Sequence, residues 1–274
     1  MGGAHGGREL TIGAYFVADG DALQPVPEAH SPWAPDMLHG RLLAGLAARA
    51  VELEPHDPEL RLTRLTVDMF RSPPMTPFHT VTSVTRDGRR VRVVEVWIRC
   101  GELEVARATA LQLRGGEHPA AEVWHAPMWD APGPDEVPAN APAGGSEEQS
   151  SYGGWDIRLM SPGGFWSAER KRLWARDTWS LVQGETSSPS VRAALAADLP
   201  NPLANSGAQG LQFINADLTL FLGRPPESEW MGLEVTDHVG HAGIAIGSCR
   251  LYDTTGAIGW SSVCAITNTA TLSG

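Results

Sequence analysis

Two stretches of this chain resemble each other: LTRLTVDMFRSPP at residues 62–74 and INADLTLFLGRPP at residues 214–226. Aligned at an offset of 152 residues (214 minus 62), both are rich in alternating apolar positions and both end in a Pro-Pro pair. This pattern predicts a strand with one buried face, which the prolines end. We interpret the match as an internal repeat of one helix-on-sheet unit. The alternative is two unrelated antiparallel segments.

The first unit is predicted to contain a strand, a buried helix and an antiparallel meander. The helix, PDMLHGRLLAGLAARAVELE (35–54), has leucines at helical spacing and small residues at most other positions. A helix that is apolar or small on nearly every side is buried, and its glycines let neighbouring segments approach closely. Around it we predict a strand at 10–17, an irregular loop at 21–35, and strands at 60–70, 78–86, 90–100 and 103–113.

A linker then separates the two units. Residues 115–150 contain six prolines and keep no apolar period, which is typical of a surface linker. The second unit repeats the first, with a helix SVRAALAADL (190–199) that Ser188 caps and that Pro200 and Pro202 end. Its predicted strands are 155–160, 174–183, 211–222, 230–238, 242–252 and 257–267. We therefore predict a unit at 1–114, a linker at 115–150 and a unit at 151–274.

Composition excludes several classes of function. The formal net charge of −11 and the pI of about 5.2 give no basic surface for nucleic acid. Three cysteines without a C-x-x-C spacing indicate neither a disulfide framework nor a zinc site. No apolar run is long enough to span a membrane, and the N-terminus lacks the pattern of a signal peptide. We expect a cytoplasmic protein without a metal or another cofactor.

The layout resembles the double hotdog fold of the thioesterase-like superfamily, specifically the acyl-CoA thioesterase II type and its actinobacterial branch. The residues that carry the resemblance are SPWAPDMLHGRLLAGLAARAVE (31–52), LTRLTVDMFRSPP (62–74) and NPLANSGAQGLQFINADLTLFLGRPPESEWMGLEV (201–235). The resemblance implies an α+β fold in which each of two antiparallel sheets wraps a central helix. It also implies that the units join into a pseudo-dimer with one continuous sheet.

The resemblance implies hydrolysis of an acyl thioester, carried by CoA or by an acyl carrier protein, with an activated water. The acid of the family maps onto Asp217, where it would be the base or the water-orienting group. The family pairs this acid with a hydroxyl residue and a Gln. The first position holds His238, with Thr236 nearby, and the second holds Cys264, or Val263 if the alignment shifts by one, with Ser262 on the strand face of Cys264. We expect His238 to assist Asp217, whereas Cys264 is either a nucleophile or an inert thiol.

Asp217 has an alternative interpretation, as a strand-end carboxylate that binds local backbone N–H groups. The matching position of the first unit is Leu65, which has no acid–base chemistry. Only one of the two pseudo-symmetric sites is therefore expected to act through this carboxylate.

Substrate contacts are predicted at the helix starts. His39 and Gly40 fall where the family has His-Gly-Gly, but Arg41 replaces the second glycine. We expect Arg41 at the mouth of the site, where it would meet a phosphate; the alternative for His39 is a half-buried helix residue. Ser188 would help to form the acyl slot and the oxyanion contacts. Thr236 and Ser262 complete the predicted binding residues.

Other functions stay open. His238 and His241 lie three apart on a predicted strand and so point to opposite faces, which disfavours a metal site. The same fold could serve a dehydratase or cyclase recruited to secondary metabolism, acting on a polyketide-like substrate, or a non-catalytic acyl-binding protein. Exposed sheet edges make a homo-oligomer a further expectation.

Overall fold

The structure, a computed structural model, describes residues 13–139 and 154–272. Its first half contains one long helix, α1 (Gly40–Leu53). The strands of this half are β1 (Ala14–Asp19), β2 (Ala22–Pro25), β3 (His30–Ser31), β4 (Ala34–Leu38), β5 (Leu60–Met69), β6 (His79–Asp87), β7 (Val91–Cys100) and β8 (Leu103–Arg114). Short 3₁₀ turns lie at Pro27–Ala29 and Pro134–Glu136.

The second half contains two shorter helices, α2 (Pro189–Ala196) and α3 (Pro200–Ala204). Its strands are β9 (Trp155–Leu159), β10 (Arg172–Asp177), β11 (Ser180–Val182), β12 (Ser206–Gly207), β13 (Gly210–Asn215), β14 (Asp217–Leu222), β15 (Met231–His241), β16 (Ile244–Asp253) and β17 (Gly256–Leu272). The order of the elements thus repeats that of the first half, as predicted.

One continuous 12-stranded sheet joins the halves. Ten of its strands follow the order β6-β7-β8-β5-β14-β17-β16-β15-β10-β9, while β13 also pairs with β17 and β12 pairs with β13. The two matching sequence stretches form β5 and β14, which pair antiparallel at its centre, with Leu65 opposite Leu220. Both leucines are fully buried, so the seam between the halves is part of the core. The architecture is a double hotdog of α+β class, which confirms the prediction.

The central helices lie side by side on the inner face of the sheet. Helix α1 is buried along most of its length, as its leucines and small residues predict. Gly45 faces Leu195 of α2, and a Cβ at Gly45 would lie 2.7 Å from Leu195 Cδ2. Near the start of α1, Gly40 lies beside Asp198, whereas Ser188 at the start of α2 binds Glu52 near the end of α1. The two helices therefore run antiparallel.

Two predicted helix boundaries were wrong. Helix α1 begins at Gly40 rather than residue 35, because Ala34–Leu38 pairs with β3 and His39 caps the helix. Pro200 does not end helical structure but opens α3 as its first residue, where a proline loses no hydrogen bond.

Three predicted segments are also subdivided, among them the predicted strand at 174–183, which is two strands, β10 and β11. The predicted loop at 21–35 contains β2 and β3. The predicted strand at 211–222 is two strands, β13 and β14, because the chain bulges at Ala216.

The described part of the linker packs onto the second half. Trp129 lies between Trp174 and Tyr252, with ring centroids 4.8 and 4.5 Å away. A Cβ on Gly232 would lie 2.1 Å from the Trp129 ring, so the indole occupies the space that this glycine leaves. Residues 140–150 of the predicted linker lie outside the described residues, and the boundaries at 114 and 150 stay a prediction. Among the described helices, none is long and apolar enough to cross a membrane.

Candidate active site at the seam between the halves

Asp217 begins β14 at the seam, opposite Asp68 of β5. The bulge at Ala216 interrupts the backbone ladder to β17: the Ala216 N–H donates to the Cys264 carbonyl at 2.8 Å. The Cys264 N–H donates instead to Asp217 Oδ1, at 2.6 Å. The carboxylate therefore accepts the hydrogen bond that a backbone carbonyl would accept in a regular ladder. This contact fits the alternative interpretation of Asp217 as a strand-end carboxylate that binds backbone N–H groups. Bulges of this kind often lie next to active sites, where they redirect a side chain.

Cys264 lies beside the Asp217 carboxylate. Burial raises the pKa of the Cys264 thiol, and the negative charge of Asp217 raises it further. The thiolate is the nucleophilic form of cysteine, so these surroundings favour the inert thiol.

The structure brings Asp217 and Cys264 together but places His238 on the other face of the sheet. Along β17, Ser261, Val263 and Ala265 are buried on the inner face, and Cys264 is exposed on the outer face. His238 is paired with Gly247, which is paired with Val263. Opposite residues of paired strands share a face, so His238 belongs to the inner face.

His238 borders a cavity of about 770 Å³ on the inner face. The cavity lies between α3, β13 and β15, and its lining includes Lys171, Leu203, Asn205, Phe213, Val235 and His238. His238 Nδ1 lies 2.9 Å from Asn205 Oδ1, and its ring meets the Phe213 ring edge-on at 6.5 Å. Of the three predicted catalytic residues, His238 alone lines this cavity.

Two predicted hydroxyl contacts are engaged within the sheet. Thr236 Oγ1 donates to the carbonyl oxygen of Ser248 at 3.2 Å. Ser262 Oγ lies 2.8 Å from Ser248 Oγ, on the outer face that also carries Cys264. Thr236 does line the cavity beside His238, whereas Ser262 faces away from it.

His39 caps α1. Its Nδ1 accepts the Arg41 backbone N–H at 3.4 Å and lies 3.9 Å from Asp198 Oδ2. Burial lowers the pKa of His39, and the Arg41 charge lowers it further. A neutral imidazole with an accepting Nδ1 makes no ion pair with Asp198, so His39 acts here as a helix cap.

Arg41 is buried rather than placed at a mouth. Its guanidinium donates to Asp177 Oδ1 at 3.0 Å and to the Tyr15 hydroxyl at 2.5 Å. The rings of Tyr15 and Trp155 lie 4.7 and 4.5 Å from it. Only 2% of the residue is exposed, so the structure does not offer Arg41 to a phosphate.

Ser188 lies at the other end of the helix pair. Its hydroxyl accepts the Val191 N–H at 3.1 Å, as a helix cap, and donates to Glu52 Oε1 at 2.8 Å. It borders a separate cavity of about 130 Å³ with Arg49 and Glu185. Ser188 and Asp217 therefore do not share one site.

Asp198 is a residue that the sequence analysis missed. It is 8% exposed and lies between α2 and α3, facing the start of α1. Its Oδ1 accepts from Asn215 Nδ2 at 2.7 Å. Burial raises the pKa of Asp198, and the bonds from Asn215 and from the Arg41 backbone N–H oppose this shift. The signal was available, because an acid that ends the apolar run AALAADL must face either solvent or a buried partner.

Asn215 connects this buried acid to the seam. Its Nδ2 also donates to the Asp217 backbone carbonyl, at 3.2 Å. The Asp198 carboxylate and the Asp217 backbone carbonyl thus accept from the same amide nitrogen. Among the described residues, no three His, Cys, Asp or Glu side chains are grouped so as to hold a metal ion.

Comparison with known families decides the relationship. The model of the acyl-CoA thioesterase N-terminal domain matches residues 29–113, and that of the C-terminal domain matches residues 134–262. The chain belongs to the acyl-CoA thioesterase family. The two matches fall on the two halves of the double hotdog. No curated protein matches the chain.

Solved structures of similar shape come from several bacteria. Acyl-CoA thioesterase II TesB2 from Mycobacterium marinum has a TM-score of 0.63 at 17% identity, covering 83% of this chain and 90% of its own. The tesB protein of Mycobacterium avium subs paratuberculosis scores 0.64 at 15% identity, with coverages of 87% and 91%. A hot dog protein from Alicyclobacillus acidocaldarius scores 0.69 at 14% identity, with coverages of 92% and 95%. At these identities the likeness establishes the fold.

Proposed function

We propose that this protein hydrolyses acyl thioesters by attack of an activated water. The observation that carries this proposal is the match of both halves to the two domains of one thioesterase family. Asp217, onto which the resemblance maps the family's acid, lies at the seam between the halves and supports the proposal. No comparison favours a dehydratase, a cyclase or a non-catalytic acyl-binding protein.

Asp217 is the proposed water-orienting base. The Cys264 N–H holds its Oδ1, which fixes the direction of the carboxylate, and the Asn215 amide holds its backbone carbonyl. A carboxylate fixed in this way can take a proton from a water while the water attacks a thioester carbonyl. The Cys264 thiol, whose pKa is raised, supports the carboxylate instead of attacking the substrate itself.

The roles that we propose for the residues at the two helix starts differ from the substrate contacts predicted from the sequence. The first-turn N–H of Arg41 already binds Asp198 and His39, and the N–H of Val191 binds Ser188. Ser188 also lies at the far end of the helix pair, where its hydroxyl donates a hydrogen bond to Glu52. We therefore assign Ser188 a capping role and propose no oxyanion contact from it.

The test is release of free thiol from a panel of acyl-CoAs of increasing chain length. Asp217→Asn keeps the shape of the side chain but not its basicity, so we expect the rate to fall by about 10²- to 10⁴-fold. Asp68→Asn is the matched control, because Asp68 lies directly opposite on β5 and has no proposed role. Full activity in Asp217→Asn would remove the base assignment. Tight ligand binding without turnover by the wild type would instead indicate a binding protein.

The carrier and the setting are finer proposals. Cys100, Cys249 and Cys264 are free thiols, which supports a reducing compartment such as the cytoplasm. Acyl carrier protein as a carrier, a place in secondary metabolism and homo-oligomerisation rest on the resemblance and the sheet edges alone. An assay with acyl carrier protein and a measurement of molecular mass in solution test the first and the last.

A further inference from the structure

Five polar side chains form a continuous line of hydrogen bonds from Asp198 to His238. Asn215 Nδ2 donates to Asp198 Oδ1 at 2.7 Å, and Asn201 Nδ2 lies 3.3 Å from Asn215 Oδ1. Asn205 Nδ2 lies 3.0 Å from Asn201 Oδ1, and His238 Nδ1 lies 2.9 Å from Asn205 Oδ1. The line joins the buried acid at the start of α1 to the histidine of the large cavity.

The direction of every bond in the line follows from its two fixed points. A carboxylate only accepts, so Asn215 must present its NH₂ to Asp198 and its oxygen to Asn201. Asn201 must likewise present NH₂, because that nitrogen also donates to the Phe213 carbonyl at 3.2 Å. Asn205 then presents its oxygen to His238. The chemistry of Asp198 and Phe213 thus settles the amide orientations.

The consequence for His238 is a single tautomer. An oxygen at Asn205 needs a donor, so Nδ1 of a neutral His238 carries the proton and Nε2 carries the lone pair. Gly240 leaves room beside that nitrogen, since a Cβ there would lie 3.0 Å from Nε2. The cavity is therefore bordered by a ring whose basic nitrogen has a fixed position.

We propose that Asp198 is a positioning residue that, together with the Phe213 carbonyl, sets the tautomer of His238 through Asn215, Asn201 and Asn205, so that Nε2 accepts a proton or hydrogen bond from a ligand in the cavity. Asn201, the second residue of α3, and Asn205, its C-terminal cap, lie four residues apart, which puts both amides on one helix face. Asp198, Asn201 and Asn205 are buried, whereas Asn215 is half-buried and His238 is exposed at the cavity end of the line. Bonds that all point the same way also polarise one another.

Neither the tautomer nor ligand binding at Nε2 depends on the proposed function, whose base, Asp217, lies on the other face of the sheet. The same Asn215 amide holds the Asp217 carbonyl, so Asp198 supports residues on both faces of the sheet. This arrangement differs from the sequence prediction, in which His238 assists Asp217.

The experiment is nitrogen NMR of the full chain labelled with ¹⁵N-histidine, at about pH 8, above the range in which histidines ordinarily titrate. His238→Gln identifies the His238 signals by their loss. In the wild type we expect the protonated-nitrogen signal at Nδ1. In Asp198→Asn, the new amide has to give its oxygen to the Arg41 N–H, so its NH₂ faces Asn215 and the line loses its acceptor.

We expect Asp198→Asn to lower the ratio of the Nδ1–H to the Nε2–H form by about fivefold or more, the factor for one hydrogen bond of about 1 kcal/mol. Asn205→Ala, which removes the last link without touching the acid, should do the same and covers failure of the first variant to fold. Asp217→Asn, a matched change on the other side of Asn215, should leave the ratio unchanged.

An Nε2–H form in the wild type, or one ratio shared by the wild type, Asp198→Asn and Asn205→Ala, would overturn the proposal. Thioester assays on the same samples separate the two ideas. A wild type that releases no thiol contradicts the proposed function while the NMR result still stands on its own. Hydrolysis lost in Asp217→Asn, with a ratio that Asp198→Asn does not move, contradicts only the inference about Asp198.

Discussion

The two ends of the central helix pair are built from the same repeated unit, yet they differ in what meets the helix start. At the start of α2, the Ser188 hydroxyl caps the helix and the half-exposed pair Arg49–Glu185 lies beside it. At the start of α1, a histidine caps the helix, and a buried acid, Asp198, takes a first-turn N–H. One end is an ordinary solvated helix start, whereas the other carries buried charge of the kind found at functional sites.

The comparison teaches where duplication has been followed by specialisation. The acid at Asp217 has Leu65 as its counterpart, and the amide line from Asp198 reaches only the cavity of the second half. The halves share a sheet and a helix pair, but the buried acid Asp198 and its line of amides lie at one end. Variants at matched positions of the two ends therefore test this difference between them.

The largest difference in lost stability is expected between substitutions of the two arginines of α1. Arg41→Met leaves the buried Asp177 carboxylate without its partner, which should lower the free energy of unfolding by about 3–5 kcal/mol. Arg49→Met breaks the more exposed pair with Glu185 and should cost at most about 1 kcal/mol. Denaturant titration of both variants measures the difference, and equal losses would show that burial does not distinguish the two ends.

The pH dependence of stability should have opposite signs at the two ends. The pKa of Asp198 is raised by burial above its ordinary value of 3.8, so the folded state holds this proton more tightly than the unfolded state. Its contribution to stability therefore declines as the pH rises from about 3.8 through the raised pKa. Asp198→Asn lacks this decline, so its stability relative to that of the wild type should increase as the pH rises.

At the other end, the Arg49 hydrogen bond lowers the pKa of Glu185 below its ordinary value of 4.5. The contribution of Glu185 is present above about 4.5 and is lost as the pH falls through the lowered pKa. Glu185→Gln should therefore approach the wild type in acid. Thermal unfolding of the wild type, Asp198→Asn and Glu185→Gln as a function of pH measures both dependences. Parallel curves of stability against pH for the wild type and Asp198→Asn would contradict the assignment of Asp198 as a buried acid.

The smallest effect is expected for the cap of α2. Ser188→Ala removes the acceptor of the Val191 N–H and should cost about 1 kcal/mol, the usual value for a helix cap. It should leave thioester hydrolysis unchanged, because Ser188 lies away from the seam. A loss of activity at unchanged stability would place a substrate contact at this end after all.

Sequence patterns predicted the architecture well because burial imposes them along the chain. The alternation in 62–74 and 214–226 follows from strands with one face in the core, and the small residues of α1 follow from a helix surrounded by protein. The start of α3 was missed because a proline both ends one helix and begins another with no local difference.

The site was harder to predict, since it depends on which face each side chain occupies. One extra residue at Ala216 reverses the alternation between Asn215 and Leu218, and β15 is irregular between Val235 and Asp237. Counting alternate positions does not locate such bulges, so Asp217 and His238 could not be assigned to opposite faces. Asp198 was overlooked because its partners come from α1 and β13, far away in sequence.

Because Trp129 packs over Gly232, the residue types that fit at these two distant positions depend on each other. Any side chain at 232 would displace the indole, since even a methyl group would lie 2.1 Å from it. A related protein that carries a larger residue at 232 should therefore carry a smaller one at 129. In such sequences the two substitutions should be found together. Introducing either one alone should weaken the packing of the chain around residue 129 against the sheet.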